Sequence, residues 1–409
     1  MGDRESRFQV NPLSAHWFAA LPVLIWVYFL IARGGFWRIA AATEPPPGNT
    51  GPKRVVVVIP ARDEAASIGT VVTSLAQQAF SGSIKVIVID DESTDGTAEV
   101  AVAAARASGF AAHLTVIKGT ALPSGWTGKL WALSQGVEAS AGLEPDYLLF
   151  TDADICHSRD SIASLVANAE AHGRDLVSHM VRLSVATPAE RLLIPAFVFF
   201  FFMLYPPAWV LSARFRTAAA AGGCILIRPQ MLARIGGLES IRARIIDDCA
   251  LAHAVKCAGG QIWLGLARET HSLRRYQSLS EIGAMISRTA FSQLRHSYAL
   301  LVLTLLGLCV TYLLPAALLF ARDPIAARLG LLGLLLMSLC YLPMVRFYRL
   351  AFAWCLCLPG IAVFYLGCVI HSAAQYARGR GGKWKGRLQD TQISDAVEAV
   401  PADVKSGQI

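Results

Sequence analysis

The pattern of hydrophobic and polar positions divides the chain into an apolar start, a long middle of short alternating elements and an apolar end. The first apolar stretch runs from Leu13 to Ala32, and about 20 such residues are enough to cross a bilayer. A cleaved signal peptide is the alternative, but this stretch is rich in bulky aromatics and lacks a clear small-x-small cleavage site. We therefore interpret residues 1–42 as an uncleaved membrane anchor, which a stiff proline-rich linker, residues 43–52, separates from the middle of the chain.

In the middle of the chain, residues 53–297, short β-branched runs alternate with helical patterns. Val55–Ile59 is a continuous β-branched run, which is typical of a strand buried on both faces of a parallel sheet. The elements that follow alternate in type, with strands at Lys85–Ile89 and Leu114–Ile117 and helices at about Ser67–Gln78 and Ala98–Ala107. This order predicts an α/β domain built from βαβ units around a doubly wound sheet.

Acidic residues follow the predicted strands at the carboxyl edge of the sheet, where open α/β proteins bind their ligands. The apolar run from Tyr147 ends in Thr151-Asp152-Ala153-Asp154. Two carboxylates this close repel each other unless a cation lies between them, and Mg²⁺ or Mn²⁺ prefers oxygen ligands and is often shared with substrate phosphates. Taken alone, the two aspartates also fit a solvated acidic turn, so a metal site here needs support from the rest of the chain.

Three further segments place charge or flexible backbone near the same edge. Lys129 begins a helix after the turn Pro123–Gly128, where a cation and free N–H groups suit an anion, although an ordinary surface lysine also fits. Asp247 and Asp248 begin another helix, where acids are often simple caps. Gly223 lies in a glycine loop that leads into a strand.

The first two predicted strands also end in acidic loops, Pro60–Glu64 and Asp90–Thr97. A nucleotide diphosphate with a divalent metal matches the combined set of loops. Carboxylates can hold the base and the ribose, while Asp152 and Asp154 can hold the metal and the metal can hold the diphosphate. One further carboxylate must then act as a base.

The composition identifies a membrane protein, because 54% of the 409 residues are hydrophobic, only 16% are charged and the mean hydropathy is +0.47. The net charge of +8 is expected beside anionic cytoplasmic lipid. Nucleic-acid binding is excluded as its cause, since no basic cluster is interleaved with aromatics. The nine cysteines lie mostly in apolar context without a Cys-x-x-Cys pair, which favours reduced thiols over disulfides or a zinc site.

The apolar segments also predict a topology. Arg33 and Arg38 follow the first apolar stretch, so the positive-inside rule predicts that the chain after them is cytoplasmic. Pro195–Leu211 is predicted to lie in the membrane interface, because a full span would separate the acidic groups and because its three prolines argue against a regular helix. Three runs of spanning length make up the predicted membrane region, residues 298–371, at Tyr298–Phe320, Ile325–Val345 and Leu350–Ile370.

These three runs conflict with the charge of the tail, residues 372–409, which begins with a basic cluster. Three full spans that start in the cytoplasm would place that cluster outside, against the positive-inside rule. Either one run is re-entrant or interfacial, or the rule fails. We expect Leu350–Ile370 to be the broken run, since Pro359-Gly360 stands near its centre, and we expect residues 388–409 to be disordered.

Four motifs in order resemble those of glycosyltransferase family 2, namely Val-Ile-Pro-Ala-Arg-Asp-Glu, Asp-Asp-Glu-Ser-Thr-Asp-Gly-Thr, Thr-Asp-Ala-Asp and Asp-Asp-x-x-Leu. The resemblance implies the GT-A nucleotide-sugar fold, a Rossmann-like α/β domain. Within the family, Gly-Trp-Thr-Gly-Lys-Leu-Trp-Ala at residues 125–132 and the order of anchor, domain and membrane region resemble the hopanoid-cluster glycosyltransferases (HpnB-type). They are also similar, more distantly, to the ceramide glucosyltransferases.

The resemblance implies a role for each matching residue. Asp152 and Asp154 would hold a divalent metal, Mg²⁺ or Mn²⁺, with Asp154 as the more direct ligand. Asp248 would be the catalytic base, in the pair Asp247-Asp248 that stands where the family carries Glu-Asp. Residues that bind the nucleotide sugar would be Pro60, Ala61, Arg62, Glu64, Asp91, Lys129, Asp152, Gly223 and Arg288.

One departure from the family pattern lies downstream. Many membrane members carry Gln-x-x-Arg-Trp, whereas residues 288–296 read Arg-Thr-Ala-Phe-Ser-Gln-Leu-Arg-His, without the tryptophan. The resemblance implies that this motif helps to hold a growing chain. Its incomplete form argues against a processive polysaccharide synthase.

The combined expectation is a membrane-bound inverting glycosyltransferase of the bacterial inner membrane, with its catalytic domain in the cytoplasm. It would move a sugar from a UDP-sugar to a lipid, and a hopanoid acceptor follows from the resemblance and the interfacial aromatic stretch. A polyprenyl-phosphate glycosyltransferase is one alternative, whose phosphate acceptor needs little help from a base. A transporter or scaffold that has kept a nucleotide-binding domain without catalysis is the other.

Overall fold

The computed structural model describes residues 12–39, 51–379, 381, 383–384 and 387–388. Most of the predicted linker and most of the predicted disordered tail lie outside these residues. The helices are α1 Pro12–Ile31, α2 Ala65–Ala76, α3 Thr97–Ala107, α4 Gly128–Ser140, α5 Ser161–His172, α6 Pro188–Leu204, α7 Pro207–Leu211, α8 Pro229–Arg234, α9 Asp247–Cys257, α10 Leu279–Gln293, α11 Tyr298–Leu308, α12 Leu314–Leu318, α13 Pro324–Phe347 and α14 Leu358–Ala377. The strands are β1 Arg54–Ala61, β2 Ser83–Asp90, β3 Leu114–Lys118, β4 Tyr147–Thr151, β5 Ile155–Cys156, β6 Leu176–Arg182, β7 Cys224–Ile227, β8 Ile262–Ser272, β9 Lys383–Trp384 and β10 Arg387–Leu388.

Eight strands form one mixed sheet in the order β3-β2-β1-β4-β7-β6-β8-β5. Strands β3, β2, β1 and β4 are parallel to one another, which confirms the predicted doubly wound half of the domain. β7 is antiparallel to β4 and β6, while β6 and β8 are parallel. The carboxyl ends of β1, β2 and β4 therefore open at one edge of the sheet, where the acidic loops follow them.

β1 is buried along nearly its whole length, as its β-branched sequence predicts, and successive side chains enter two different hydrophobic clusters. Val57 packs in a cluster with residues of α2 and α5 on one face of the sheet. Val58 belongs to the cluster on the other face, which also includes α4 and α6. This second cluster continues without a break into the apolar helices near both ends of the chain, where it includes Trp26, Tyr312 and Tyr341.

α6 is a helix of 17 residues that contains Pro195, so this proline does not prevent a helix, contrary to our expectation. The predicted Pro195–Leu211 stretch is nevertheless not one regular helix, because α6 ends at Leu204 and the separate α7 begins only at Pro207. Its start is stabilised by a capping box, because the Thr187 side chain accepts a hydrogen bond from the Glu190 N–H and the Glu190 carboxylate accepts one in return. Phe199 and Phe202 are buried along it. Burial of several such side chains, each worth about 1.5–3 kcal/mol, offsets the roughly 3 kcal/mol that an interior proline costs.

Four described helical segments are long and apolar enough to cross a membrane, at Pro188–Leu211, Tyr298–Leu318, Pro324–Phe347 and Phe352–Ala377. α1 is a further apolar helix, and large side chains such as Trp17 and Phe18 are exposed on its surface. α1 packs against the segments Tyr298–Leu318 and Pro324–Phe347 through contacts such as the hydrogen bond from Trp26 Nε1 to the Thr311 carbonyl, at 2.9 Å. The apolar helices thus form one bundle beside the sheet domain.

The Leu350–Ile370 run does not begin as a regular α-helix. A short 3₁₀ segment covers Phe352–Cys357, and Pro359 stands in the first turn of α14, a position that suits proline. α14 packs along α10, where Ser287 Oγ donates to the Cys368 carbonyl at 3.1 Å and the Phe291 N–H donates to Ser372 Oγ at 3.0 Å. The residue numbers of the bonded pairs increase in the same direction along both helices, so α10 and α14 are parallel.

Candidate active site

Lys129 lies at the centre of the acidic cluster. Its Nζ atom is 2.8 Å from Asp152 Oδ1 and 3.4 Å from Asp247 Oδ2, and 18% of its side chain is exposed. Burial alone would lower the pKa of Lys129, but the negative charges of Asp152 and Asp247 raise that pKa above its ordinary value. The ammonium group therefore joins the acidic turn after β4 to the first turn of α9.

α4 carries Lys129 to this position because the helix lies close against the sheet. A Cβ atom at Gly136 would come within 2.2 Å of Val58 Cγ1, so only glycine allows this approach of α4 to β1. The turn before the helix is fixed by Thr127, whose N–H donates to the Arg242 carbonyl at 2.9 Å. The predicted helix that begins near Lys129 is thus present, and the packing of its far end sets where the lysine points.

Asp154 lies on the inner side of the same turn. Its Oδ2 atom accepts a hydrogen bond from Ser272 Oγ at 2.9 Å, and its carbonyl accepts one from the Leu273 N–H at 2.7 Å. Burial and the neighbouring charge of Asp152 raise the pKa of Asp154 to about 6, against the opposing effect of Ser272. The Asp154 carboxyl is therefore held in place and is costly to ionise without a nearby cation.

Asp248 is held by two backbone groups at the start of α9. Its Oδ2 atom accepts the Gly222 N–H at 2.8 Å, and its Oδ1 atom accepts the Cys249 N–H at 2.7 Å. Burial and the charge of Asp247 raise the pKa of Asp248 to about 6. A carboxylate with that pKa can accept a proton near neutral pH, which a simple cap with an ordinary pKa would do poorly.

The two acidic loops after β1 and β2 interlock. Arg62 Nη1 donates to the Asp91 carbonyl at 2.8 Å and lies 3.5 Å from the Asp91 carboxylate, which is buried. Asp63 Oδ1 accepts the Thr94 N–H at 2.8 Å, and the Glu64 N–H donates to Thr97 Oγ1 at 2.9 Å. These bonds bring the predicted nucleoside-binding residues Arg62, Glu64 and Asp91 to one place.

The remaining predicted site residues lie at or near this edge of the sheet but outside the cluster around Lys129. Pro60 and Ala61 are buried at the end of β1, and the Ala61 carbonyl accepts the Asp91 N–H at 2.8 Å. The Gly223 carbonyl accepts a hydrogen bond from Thr151 Oγ1 at 2.9 Å, so the group in contact with Asp248 is that of Gly222 instead. Arg288 lies on α10. Burial raises the pKa of the Tyr276 hydroxyl, while the positive charges of Arg274 and Arg288 oppose this rise and the negative charge of Asp154 adds to it.

Three residues of the site were not predicted. Ser272 binds Asp154, Gly222 binds Asp248, and the Arg274 guanidinium acts on Asp154 by its charge. A signal existed for Gly222, which stands in the same glycine loop as Gly223. No such signal existed for Ser272, because the predicted last strand stopped at Leu264 whereas β8 continues to Ser272. Arg274 stands in a cluster of arginines after that strand, which indicated positive charge nearby but not its effect on Asp154.

A divalent metal fits the chemistry of this edge, since Asp152 and Asp154 offer the carboxylate oxygens that Mg²⁺ and Mn²⁺ prefer. A positive charge already lies beside Asp152 in the form of the Lys129 ammonium group. Among the residues that the structure describes, no group of three or more His, Cys, Asp or Glu side chains has the arrangement of a metal site. A metal held by these two aspartates would therefore need further ligands from a bound molecule.

Comparison with known proteins shows which family part of the chain is similar to. Residues 56–235 match the model described as "Glycosyl transferase family 2". The 4,4'-diaponeurosporenoate glycosyltransferase of Staphylococcus aureus (strain USA300) is 34% identical over 126 residues, which are 31% of this chain and 30% of that protein. The chain thus aligns with less than a third of the length of the curated relatives it matches.

Solved structures to which this chain is similar include mannosyltransferase PcManGT from Pyrobaculum calidifontis in complex with GDP-Man and Mn²⁺. It is 18% identical, and the alignment covers 97% of both chains with a TM-score of 0.48. Glucosyl-3-phosphoglycerate synthase from Mycobacterium tuberculosis, in complex with Mg²⁺ and uridine diphosphate, is 20% identical, with 62% of this chain and 85% of that chain covered at a TM-score of 0.38. The family match and the sheet topology of this chain confirm the predicted GT-A α/β fold with apolar helices before and after it.

Proposed function

We propose that this chain is a membrane-bound inverting glycosyltransferase, because residues 56–235 match the model of glycosyl transferase family 2. It moves a sugar from a nucleotide diphosphate sugar, a UDP-sugar being our choice, to the hydroxyl group of a lipid. One observation carries the proposal, namely the convergence of Asp152, Asp247 and the held carboxylate of Asp248 around Lys129 at one sheet edge. A non-catalytic nucleotide-binding protein would not need a carboxylate with a raised pKa beside that cluster.

A lipid acceptor is supported by the position of α6. The helix is apolar along its length, and it ends next to Tyr205, whose hydroxyl contacts the thiol of Cys249, the residue after Asp248. An acceptor that entered along α6 from the membrane would therefore bring its hydroxyl toward Asp248. The Staphylococcus aureus relative is named for 4,4'-diaponeurosporenoate, a lipid-related carboxylate, which supports an acceptor of the lipid class, while the hydroxyl group is our own choice. A hopanoid is the member of the class that the motif resemblance favours.

The reaction that this geometry supports is a single displacement. Asp248 removes the proton of the acceptor hydroxyl, and the acceptor oxygen attacks the anomeric carbon of the sugar. The bond between that carbon and the diphosphate oxygen breaks, and the diphosphate leaves with the electron pair. Lys129 offers its positive charge to the departing diphosphate. When bound by Asp154 and Asp152, Mg²⁺ or Mn²⁺ would supply further positive charge to the same group.

The interlocked loops after β1 and β2 give the nucleoside its place in this proposal. Asp91 and Glu64 are the carboxylates that would contact the base or the ribose, with Arg62 holding Asp91 in position. The domain faces the cytoplasm of a bacterial cell, where nucleotide sugars are made, and the positive charge of Arg33 and Arg38 after α1 supports that orientation.

The proposed function is tested with the purified full chain in lipid nanodiscs. A panel of UDP- and GDP-sugars is screened for release of nucleoside diphosphate, with and without hopanoid lipid and with Mn²⁺ or Mg²⁺. Release that depends on the lipid and on one sugar nucleotide is the expected result. Absence of release with every donor and acceptor would favour the transporter or scaffold alternative.

Asp248→Asn tests the assignment of the base. We expect transfer to fall at least about 100-fold while binding of the nucleoside diphosphate stays unchanged, because Asn cannot accept the proton. Asp160→Asn, at the exposed start of α5, is the matched control and should retain activity. Near-normal transfer by Asp248→Asn would contradict the assignment, and a mild loss with a polyprenyl-phosphate acceptor would favour that alternative reaction.

A further inference from the structure

The ammonium group of Lys129 lies where the proposed reaction also requires a divalent metal ion. Its ammonium group lies 2.8 Å from Asp152 Oδ1, and Asp152 is one of the two proposed metal ligands. The same ammonium group lies 3.4 Å from Asp247 Oδ2, on the far side of the cluster. The lysine therefore bridges the turn that would hold the metal and the helix that carries the base.

The surroundings of Lys129 leave it little freedom while it makes this bridge. A Cβ atom at Gly222 would lie 3.1 Å from Lys129 Nζ and 3.2 Å from Asp248 Oδ2, so the glycine backbone closes one side of the cluster. The close packing of Gly136 on Val58 fixes the helix from which the lysine extends. A dication that approached Asp152 would meet the ammonium charge at short range, and like charges a few ångströms apart repel each other.

We propose that Lys129 is an internal counter-cation, which holds Asp152 and Asp247 together while the donor site is empty and gives up Asp152 when metal and nucleotide bind together. The inference rests on the proposed function. Without nucleotide, a metal must displace the ammonium group and gains only two carboxylates. With nucleotide, the diphosphate gives the metal additional oxygens and gives the lysine a new anionic partner, so the exchange becomes favourable. Metal binding is thereby made dependent on the nucleotide.

Direct measurement of Mn²⁺ binding tests this role without any need for turnover. The full chain in nanodiscs is titrated with Mn²⁺ and the free ion is measured by electron paramagnetic resonance, with no nucleotide, with UDP and with GDP. We expect Lys129→Met to bind Mn²⁺ roughly 5- to 100-fold more tightly than the wild type when nucleotide is absent. With the nucleotide present, the advantage should disappear or reverse, because the variant has also lost a diphosphate contact.

Three matched variants define the result. Lys85→Met removes the same charge from β2, away from the cluster, and should bind Mn²⁺ as the wild type does. Lys129→Arg keeps the positive charge and should keep metal affinity low without nucleotide, which guards against the case in which Lys129→Met fails to fold. Adding Asp154→Asn to Lys129→Met should abolish the gained binding, because the gained ion lies at the aspartate pair.

Two outcomes would overturn the proposal. The first is equal Mn²⁺ affinity of Lys129→Met and the wild type in the absence of nucleotide. The second is a gain that survives Asp154→Asn, since the extra ion would then be bound elsewhere. Failure of the proposed function looks different, because it appears as absence of nucleoside diphosphate release in the donor screen, whereas the Mn²⁺ titrations of Lys129→Met and the wild type do not depend on turnover.

Discussion

The Asp248 carboxylate is fixed in position by hydrogen bonds, yet its surroundings disfavour its ionised form. Backbone N–H groups of Gly222 and Cys249 fix its carboxylate, yet burial and the charge of Asp247 raise its pKa to about 6. The carboxylate is thus held in a position where ionisation costs stability. Such a cost is common at functional sites, where a group is kept for its reactivity rather than for the stability of the fold.

Thermal unfolding of Asp248→Asn tests that cost. The pKa of Asp248 is higher in the folded protein than its ordinary value of 3.8, so its contribution is favourable below about pH 4 and is lost as the pH rises through about 6. Asn cannot ionise, and the variant should therefore melt a few degrees above the wild type at pH 8, with a smaller gain at pH 5. Asp160→Asn should show no such trend, and a gain that is equal at both pH values would contradict this origin.

Sequence reasoning found the acids of the site but not their partners. Asp152, Asp154 and Asp248 could be predicted because each interrupts or follows an apolar run. A carboxylate at the end of a buried strand or helix is costly unless it binds something. Ser272 was not visible, because the last four residues before it in β8 are largely exposed and lack the apolar pattern by which strands are recognised. The contact between Ser272 and Asp154 also joins positions far apart in the sequence, which no local pattern encodes.

At the scale of secondary-structure elements, α4 is the part whose packing matters most for the site. Gly136 allows the helix to lie against Val58, and Lys129 extends from the same helix two turns earlier. We expect Gly136→Ala to cost roughly 1–3 kcal/mol of stability by overpacking and to weaken nucleoside diphosphate binding by shifting Lys129. Thermal unfolding and nucleotide titration measure the two effects.

The control for this helix is Gly142→Ala, in the short segment just after α4. A Cβ atom there meets no atom within 4 Å, so stability and binding should both stay near the wild-type values. If Gly136→Ala loses stability but keeps full nucleotide affinity, the position of Lys129 does not depend on the close approach of α4 to β1.

Elements with strong periodicity were predicted well, and those that depend on tertiary contacts were not. β1 was recognised because a continuous β-branched run has few alternatives to a buried strand. Pro195 was wrongly taken as an obstacle to a helix because its surroundings were not considered. The local capping box of Thr187 and Glu190 stabilises the start of α6, and the burial of Phe199 and Phe202 in the fold offsets the cost of the proline. The separate helix α7 begins with Pro207, a position where proline is favourable.

At the scale of the whole molecule, the parallel packing of α10 and α14 bears on the topology. α10 ends at Gln293, whose amide donates to the Tyr205 hydroxyl beside the active site at 2.6 Å. Because α14 follows α10 in direction and register, its end at Ala377 lies near the end of α10, on the same side as the catalytic domain. We therefore expect α14 to lie in the interface and the basic tail to be cytoplasmic, which also satisfies the positive-inside rule.

Reporter fusions at the carboxyl end of the chain measure this topology. A green fluorescent protein fusion should fluoresce, and an alkaline phosphatase fusion at the same position should be inactive, because the first folds in the cytoplasm and the second needs the periplasm. Fusions after Phe320, between α12 and α13, provide the opposite control and should give the reverse result. An active phosphatase at the end of the chain would show that α14 crosses the membrane.

The hydrophobic cluster that runs from β1 through α6 to the apolar helices has a practical consequence for expression of the protein. A fragment reduced to residues 53–297 would keep the sheet and the acidic cluster but would expose the faces of α6 that Tyr312, Tyr341 and Tyr365 now cover. Exposed apolar surface of that kind promotes aggregation in water. Detergent or lipid is therefore needed even for work on nucleotide binding alone, and a soluble truncated enzyme would require polar substitutions along α6.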